Sequence, residues 1–339
     1  MNDRSLEPIE PEDAFDWYLD EKDAEYSENT LNAHRIRLQH FIRWCDEVGL
    51  DNLNDLDGRK VHRYKTWRTK EGDLNRVSQR TQMSTLRVFI RFCEKIDAVP
   101  EGLHEKVLVP SISKKEKARR KDVDTDEILA ALHYLRKYEY ASNRHTALEL
   151  MWHTAMRLGE IHGLDVEDYY PQKSYIKVKH RESSGTPLKN KHSGERAVNL
   201  SEGMGRLLDD YLADNRIDAT DDNDRRPLIS TNYGRVSRTA IRNWVYQMTR
   251  PCEYGEPCPD DRDPDECEYA GSSPAAGCPF NYFPHAIRSA SITYHRNNGW
   301  PVEHLSDRVN ASPEIIKSHY DEPEDADALA RREEFMKDL

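Results

Sequence analysis

The sequence predicts a mainly α chain with a small antiparallel sheet, folded as two domains. Three observations carry that prediction. From Pro11 to Val107 apolar residues recur at helical spacing throughout. Residues 108–121 break the pattern with Pro110, serines and a run of lysines and arginines. From Asp124 onward the pattern is mixed, and segments 175–179 and 195–200 read as a pair of strands.

In chain order, residues 1–10 are expected to be a frayed tail. Asn29-Thr30 offers a cap to a helix running through Leu31, Leu38, Phe41, Ile42 and Cys45, and Gly49 stops it. Its other face shows Arg35, Arg37 and Arg43. Residues 61–68 read as a shorter helix. Another spans about 78–96, with Met83, Leu86, Phe89, Ile90 and Cys93 on one side and Arg80, Arg87 and Arg91 among its polar positions. Residues 11–107 thus form a helical bundle with arginine-rich polar faces. For any one of these arginines, the plain reading is a solvated helix face.

In the second domain, 122–339, Thr125, Asp126 and Glu127 open a helix through Ile128, Leu129, Leu132 and Leu135. A helix over about 141–154 leads into Thr154-Ala155-Met156-Arg157. The connection between the two strands is long and carries Gly185, Lys189, Lys191 and Gly194. Helices return at about 202–215 and 237–249. After Pro323, a short helix with Ala326, Leu329, Ala330 and Met336 along one face needs a partner surface to be stable.

At 339 residues the chain is long enough for two domains with real cores. It shows no long apolar run and no signal-peptide layout, so a soluble, cytoplasmic protein with no membrane partner is expected. Cysteines in that setting are thiols or metal ligands. The net charge of −12 argues at first sight against a nucleic-acid partner. Yet positive charge is concentrated in 114–121, where Lys114, Lys115, Arg119 and Arg120 help make six cations against one anion. Acid clusters such as 221–224 suit a salty cytoplasm, as in a salt-adapted archaeon or its virus.

Residues 251–284 form a separate insert. Cys252, Cys258, Cys267 and Cys278 fall within 27 residues there, and eight acidic residues face one basic residue, Arg262. A segment so poor in apolar residues cannot build its own core. A tetrahedral four-cysteine zinc site would hold it together. The competing reading is a plain loop with incidental thiols, since no Cys-x-x-Cys pair is present.

The residues that carry chemistry stand far apart in the chain. They are Arg157, then His285-Ala286-Ile287-Arg288, then Tyr320. Arginine binds phosphate oxygens bidentately and stays charged at every relevant pH. Two arginines can therefore cradle one phosphodiester and stabilise its transition state while a tyrosine attacks phosphorus. Around Arg157, Glu160 and Leu164 follow, and then the acidic 165–168. After Pro284-His285-x-x-Arg288 come a Gly299-Trp300-Pro301 break and Ser318-His319-Tyr320.

In these motifs and their order the chain resembles the tyrosine recombinases, the family of phage integrases and Xer proteins, over most of its length. The resemblance implies an N-terminal helical core-binding (SAM-like) domain and a C-terminal mixed α/β catalytic domain. It implies cleavage and rejoining of specific DNA sites through a 3′-phosphotyrosyl link at Tyr320, without ATP or a catalytic metal. Arg157 and Arg288 would neutralise the phosphate, and His285 would relay the tyrosine proton or bond a phosphate oxygen. Lys189 or Lys191 would protonate the leaving 5′-oxygen, and Glu160 would orient Arg157. Arg35, Arg43, Arg80, Arg87 and the basic linker would contact double-stranded DNA, with a homo-oligomer, a tetramer, acting on paired sites.

One departure stands out. Where the family usually places a Gly-His-like pair, about nine residues before the tyrosine, this chain has Asn310-Ala311. That departure supports an alternative: a catalytically weak or silent DNA-binding regulator or excision factor on the same fold.

Overall fold

The computed structural model of the chain describes residues 6–112, 123–271, 274–319 and 329. Lys114, Lys115, Arg119, Arg120, Tyr320 and all of the expected C-terminal helix but Leu329 lie outside the described residues. The chain divides between Arg119 and Arg120 into two compact units.

The first unit packs α1 (Pro11–Asp23), α2 (Glu28–Val48), α3 (Gly58–Glu71) and α4 (Arg76–Lys95). Side-chain caps set the helix starts. Asp57 accepts from Lys60 N–H and Asn75 from Ser78 N–H. Ser27, rather than Asn29-Thr30, caps α2 by accepting from Thr30 N–H, while Gly49 closes that helix at φ 66°. The core is aromatic. Phe41 meets Tyr64 at 5.2 Å and Phe89 at 6.0 Å between ring centroids, and Tyr18 meets Phe89 edge-on at 5.5 Å.

The expected frayed tail needs correction over its last residues. Glu7 N–H donates to Asp97 O at 2.9 Å and Leu53 N–H to Ile9 O at 2.9 Å. The backbone groups of this stretch tie it to the bundle.

The second unit contains α5 (Thr125–Tyr138), α6 (Asn143–Thr154), α7 (Leu158–His162), α8 (Glu202–Asp210), α9 (Arg238–Met248), α10 (Pro284–Asn297), α11 (Val302–Val309) and α12 (Pro313–His319). Strands β1 (Tyr169–Tyr170), β2 (Tyr175–Val178) and β3 (Arg196–Asn199) form an antiparallel sheet in that order. The β2–β3 register pairs Ile176 with Val198, and both are buried. Strands β4 (Ser230–Thr231) and β5 (Gly234–Arg235) make a tight hairpin. A Cβ on Gly234 would stand 2.5 Å from Thr220 O, so that turn requires glycine.

Helix α6 is buried nearly all round. A helix in that position is the centre of a core rather than its lid. Its buried Glu149 takes a two-pronged bond from Arg136 at 2.6 and 3.0 Å.

A buried ionic network fastens the sheet region. Asp165 receives Arg225 at 2.9 Å and Arg235 at 2.5 Å, and Asp168 receives Arg181 at 2.6 Å and Lys179 at 2.7 Å. Asp221, expected among the solvated acids, instead takes Arg235 at 2.8 Å. A smaller apolar cluster of Ala155, Ile292, Val302, Leu305, Val309, Ala311 and Ile316 joins α10, α11 and α12.

Candidate active site

Four features of the chain, spread over more than 150 residues, bring Arg157 and Arg288 together. Helix α6 ends at Ala155, which is buried and left-handed at φ 50°. The chain turns there, and Arg157 becomes the residue that opens α7. Pro284 opens α10, and the next turn delivers Arg288 into the interior, where it is 1% exposed. Helix α11 ends at Asn310, again left-handed at φ 49°.

Both guanidiniums bind that last turn. Arg157 Nη2 donates to Asn310 O at 3.0 Å, and Arg288 Nη2 donates to Val309 O at 2.8 Å. Arg288 Nη1 also donates to Ala155 O. The strained Ala155 thus contributes a carbonyl to one arginine and the turn that leads to the other.

Glu160 is the hub. Its carboxylate accepts the Arg157 backbone N–H at 2.8 Å, Arg157 Nη1 at 3.1 Å and Arg196 Nη2 at 3.0 Å. Burial acts to raise this carboxyl. Arg196, the Arg157 N–H and Arg288 together outweigh it and hold the group below the usual carboxylate range. The expected orienting role of Glu160 therefore has a geometry, and it includes a residue the sequence did not single out. Arg196 opens β3 and also donates from Nε to Arg308 O at 2.6 Å. Its only sequence signal was its place at the start of the second strand.

A cleft of about 410 Å³ opens over this pair, lined by Arg157, Gly159, Arg242, Tyr246, His285 and Arg288. His285 and Arg242 are exposed at its wall. Arg242 and Tyr246 were missed. Their four-residue spacing on α9 places them on one helix face, which was legible, but nothing in the sequence said that this face meets Arg157.

Lys189 and Lys191 are both exposed on the β2–β3 connection, and neither lines the cleft. Lys191 is left-handed at φ 48° and starts a turn that ends at Gly194. A Cβ on Gly194 would lie 3.0 Å from Asn310 Nδ2, so this turn packs against the residue whose carbonyl receives Arg157.

The four described arginines expected at a DNA surface differ in placement. Arg35 is exposed and has no ion pair among the described residues. Arg43 pairs with Glu71 at 2.6 Å and stacks over Trp67 at 5.1 Å. Arg80 donates to Pro110 O at 2.8 Å and half-buried Arg87 to Val107 O at 2.5 Å. The last two brace the chain leaving the first unit, and Arg80 stays exposed while doing so.

Two histidines beside the site are held neutral. Burial, followed by Arg308, pushes His153 down to about 4, and its Nε2 accepts Ser201 N–H at 3.1 Å. Burial, followed by Arg238, Arg235 and Arg225, pushes His162 down to about 4. Between pH 6.5 and 4 the unfolded chain binds protons that the folded chain refuses. Stability is therefore complete above pH 6.5 and falls as pH drops through that window, by at most roughly 3–4 kcal/mol per histidine. Denaturant melts at pH 7 and pH 5 are expected to show this loss. His153→Gln should flatten it in part.

A helical bundle followed by a mixed α/β unit with two arginines on one cleft defines the class, and the comparisons agree. Residues 13–95 match the phage integrase N-terminal SAM-like domain, and residues 121–250 match the phage integrase family. The chain belongs to that family, the tyrosine recombinases. The second match ends at residue 250, where the cysteine insert begins. Tyrosine recombinase XerC of Pseudomonas syringae pv. tomato is 27% identical over 158 residues, 46% of this chain and 50% of that one. The chain spans a third to a half of the length of the curated relatives it matches.

Among solved structures, the Tn1549 transposon integrase in complex with a circular intermediate DNA is 15% identical with a TM-score of 0.67, covering 98% of this chain and 100% of that one. A lambda integrase tetramer bound to a Holliday junction is 14% identical with a TM-score of 0.62, covering 96% and 78%. These two likenesses establish the shared fold. No helix among the described residues is long and apolar enough to cross a membrane.

Proposed function

We propose that the chain is a site-specific DNA recombinase that cleaves and rejoins double-stranded DNA through a 3′-phosphotyrosyl intermediate at Tyr320. The observation that carries this reading is the single cleft lined by Arg157, His285 and Arg288. In the proposed reaction Tyr320 Oη bonds to phosphorus and the bond to the 5′-oxygen breaks. Arg157 and Arg288 hold the non-bridging oxygens as charge grows on them. His285 accepts the phenolic proton or bonds a phosphate oxygen. The phosphotyrosine keeps the energy of the phosphodiester, so rejoining needs no ATP, cofactor or catalytic metal. Any zinc in the cysteine insert is structural.

The lambda integrase tetramer on a Holliday junction supports a homo-oligomer on paired sites for this chain. Arg35, Arg43, Arg80 and the basic linker are its proposed contacts to the duplex outside the cleft, acting in the cytoplasm. A duplex nicked just beyond the scissile phosphate tests the reading, because the short fragment bearing the released 5′-hydroxyl diffuses away and traps the covalent adduct. An adduct is expected. Site binding without any adduct would establish a silent DNA-binding protein instead.

The leaving 5′-oxygen is protonated by Lys189 or Lys191. Lys191 gains support from the turn it opens against Asn310. Replacing the bridging 5′-oxygen with sulfur gives a leaving group that needs no proton. The lysine variant that is slow on the oxygen substrate, by about 10²-fold or more as for a general acid, should recover on the sulfur one. If neither Lys189→Ala nor Lys191→Ala recovers, the proton comes from elsewhere.

A further inference from the structure

Between Cys252 and Gly271 no residue is buried. Two short turns, Pro251–Tyr254 and Pro274–Gly277, bracket it. The ion pairs within it, Arg262 with Glu268 at 3.0 Å and with Asp260 at 3.4 Å, are surface pairs of little worth. Apolar burial and surface charge therefore do not account for its course.

The four cysteines supply what is missing. Cys252, Cys258, Cys267 and Cys278 all line one cavity of about 140 Å³. All four are free thiols and half-buried. Their separations in sequence would scatter them in a plain loop, so their convergence on one small space is the observation to explain. Pro264, Tyr269 and Phe280 complete an apolar wall. Two guanidiniums, Arg250 and Arg262, flank the space, and four thiolates around a divalent ion would leave two negative charges there. As placed, no three such ligands among the described residues could hold one ion, so the thiols have to close on the metal as it binds.

We propose that Cys252, Cys258, Cys267 and Cys278 bind one zinc ion as four thiolates and that this ion fixes the insert. Four protons leave as the metal binds, and no electron moves. Zinc–sulfur distances of about 2.3 Å in a tetrahedron are what the closed site requires. The base of the insert is already anchored. Arg250 donates to Tyr269 O and, at 3.0 Å, to Glu253, which also takes Arg144 at 2.5 Å. The insert joins α9, with Arg242 and Tyr246, to α10, with His285 and Arg288. A metal clamp here ties the two walls of the cleft at their shared end.

The full chain, purified without chelator, should contain one zinc. Exchange for cobalt should produce thiolate charge-transfer absorption and the visible bands of a tetrahedral site. Cys258→Ser with Cys267→Ser should lose the metal and become sensitive to protease between residues 256 and 271. Chelation should turn four protected thiols into four reactive ones, since Cys45 and Cys93 are buried in the first unit and stay silent. Protein that, as purified without chelator, is folded, metal-free and already shows four reactive thiols would overturn the proposal, as would a mass deficit of four hydrogens showing two disulfides. None of these readouts uses DNA, so they stand or fall apart from the recombinase reading.

Discussion

Tyr320→Phe is expected to abolish the covalent adduct on a nicked site while leaving site binding within about twofold of the parent. The substitution removes one oxygen and keeps the ring, so folding has little to lose. Chemically it removes the atom that bonds phosphorus in the proposed scheme. The measurement is a denaturing gel of protein and labelled DNA. An adduct formed by the variant would mean that another nucleophile does the work.

Arg288→Ala is expected to lower the single-turnover cleavage rate by about 10²–10³-fold, the cost of one preorganised donor to a developing anion. It should also destabilise the second unit, because Ala155 O and Val309 O lose a buried donor. Arg157→Ala should match it in rate but cost less stability, since Arg157 is 22% exposed and Arg288 is 1% exposed. Rate and melting temperature measured on both variants separate the two effects. Near-normal cleavage by either would remove the shared phosphate site from the mechanism.

Much of the fold was legible because local signals agree with packing. Gly49 ends α2, and the two strands lie within one residue of where the pattern put them. Arg157, His285 and Arg288 were legible as types and order. What could not be read was who meets them. Arg196, Arg242 and Tyr246 come from elements whose docking depends on contacts far apart in sequence, and no period or cap encodes such contacts. The arginines of the first unit show a different limit. Arg80 and Arg87 occupy polar helix positions, as expected, but find backbone carbonyls at 110 and 107. A sequence pattern reports that a side chain leaves the core, not whether it ends in water. Asp221 shows the same limit with the opposite charge.

Asn310 and Ala311 stand where the resemblance would place a Gly-His-like pair, and it is the Asn310 carbonyl, not its side chain, that Arg157 uses. The turn at 309–310 therefore occupies the same guanidinium donors that an incoming phosphate would seek. It also carries α12 (Pro313–His319), whose next residue is Tyr320. In the proposed scheme, phosphate affinity and the position of α12 are then thermodynamically linked. Whatever free energy the phosphate spends in drawing the arginines off this turn is returned as an altered equilibrium for the helix behind it, and the coupling has the same size in both directions. A partner that grips α12 would in turn change how tightly the empty cleft holds a phosphate, with no contact to the phosphate itself.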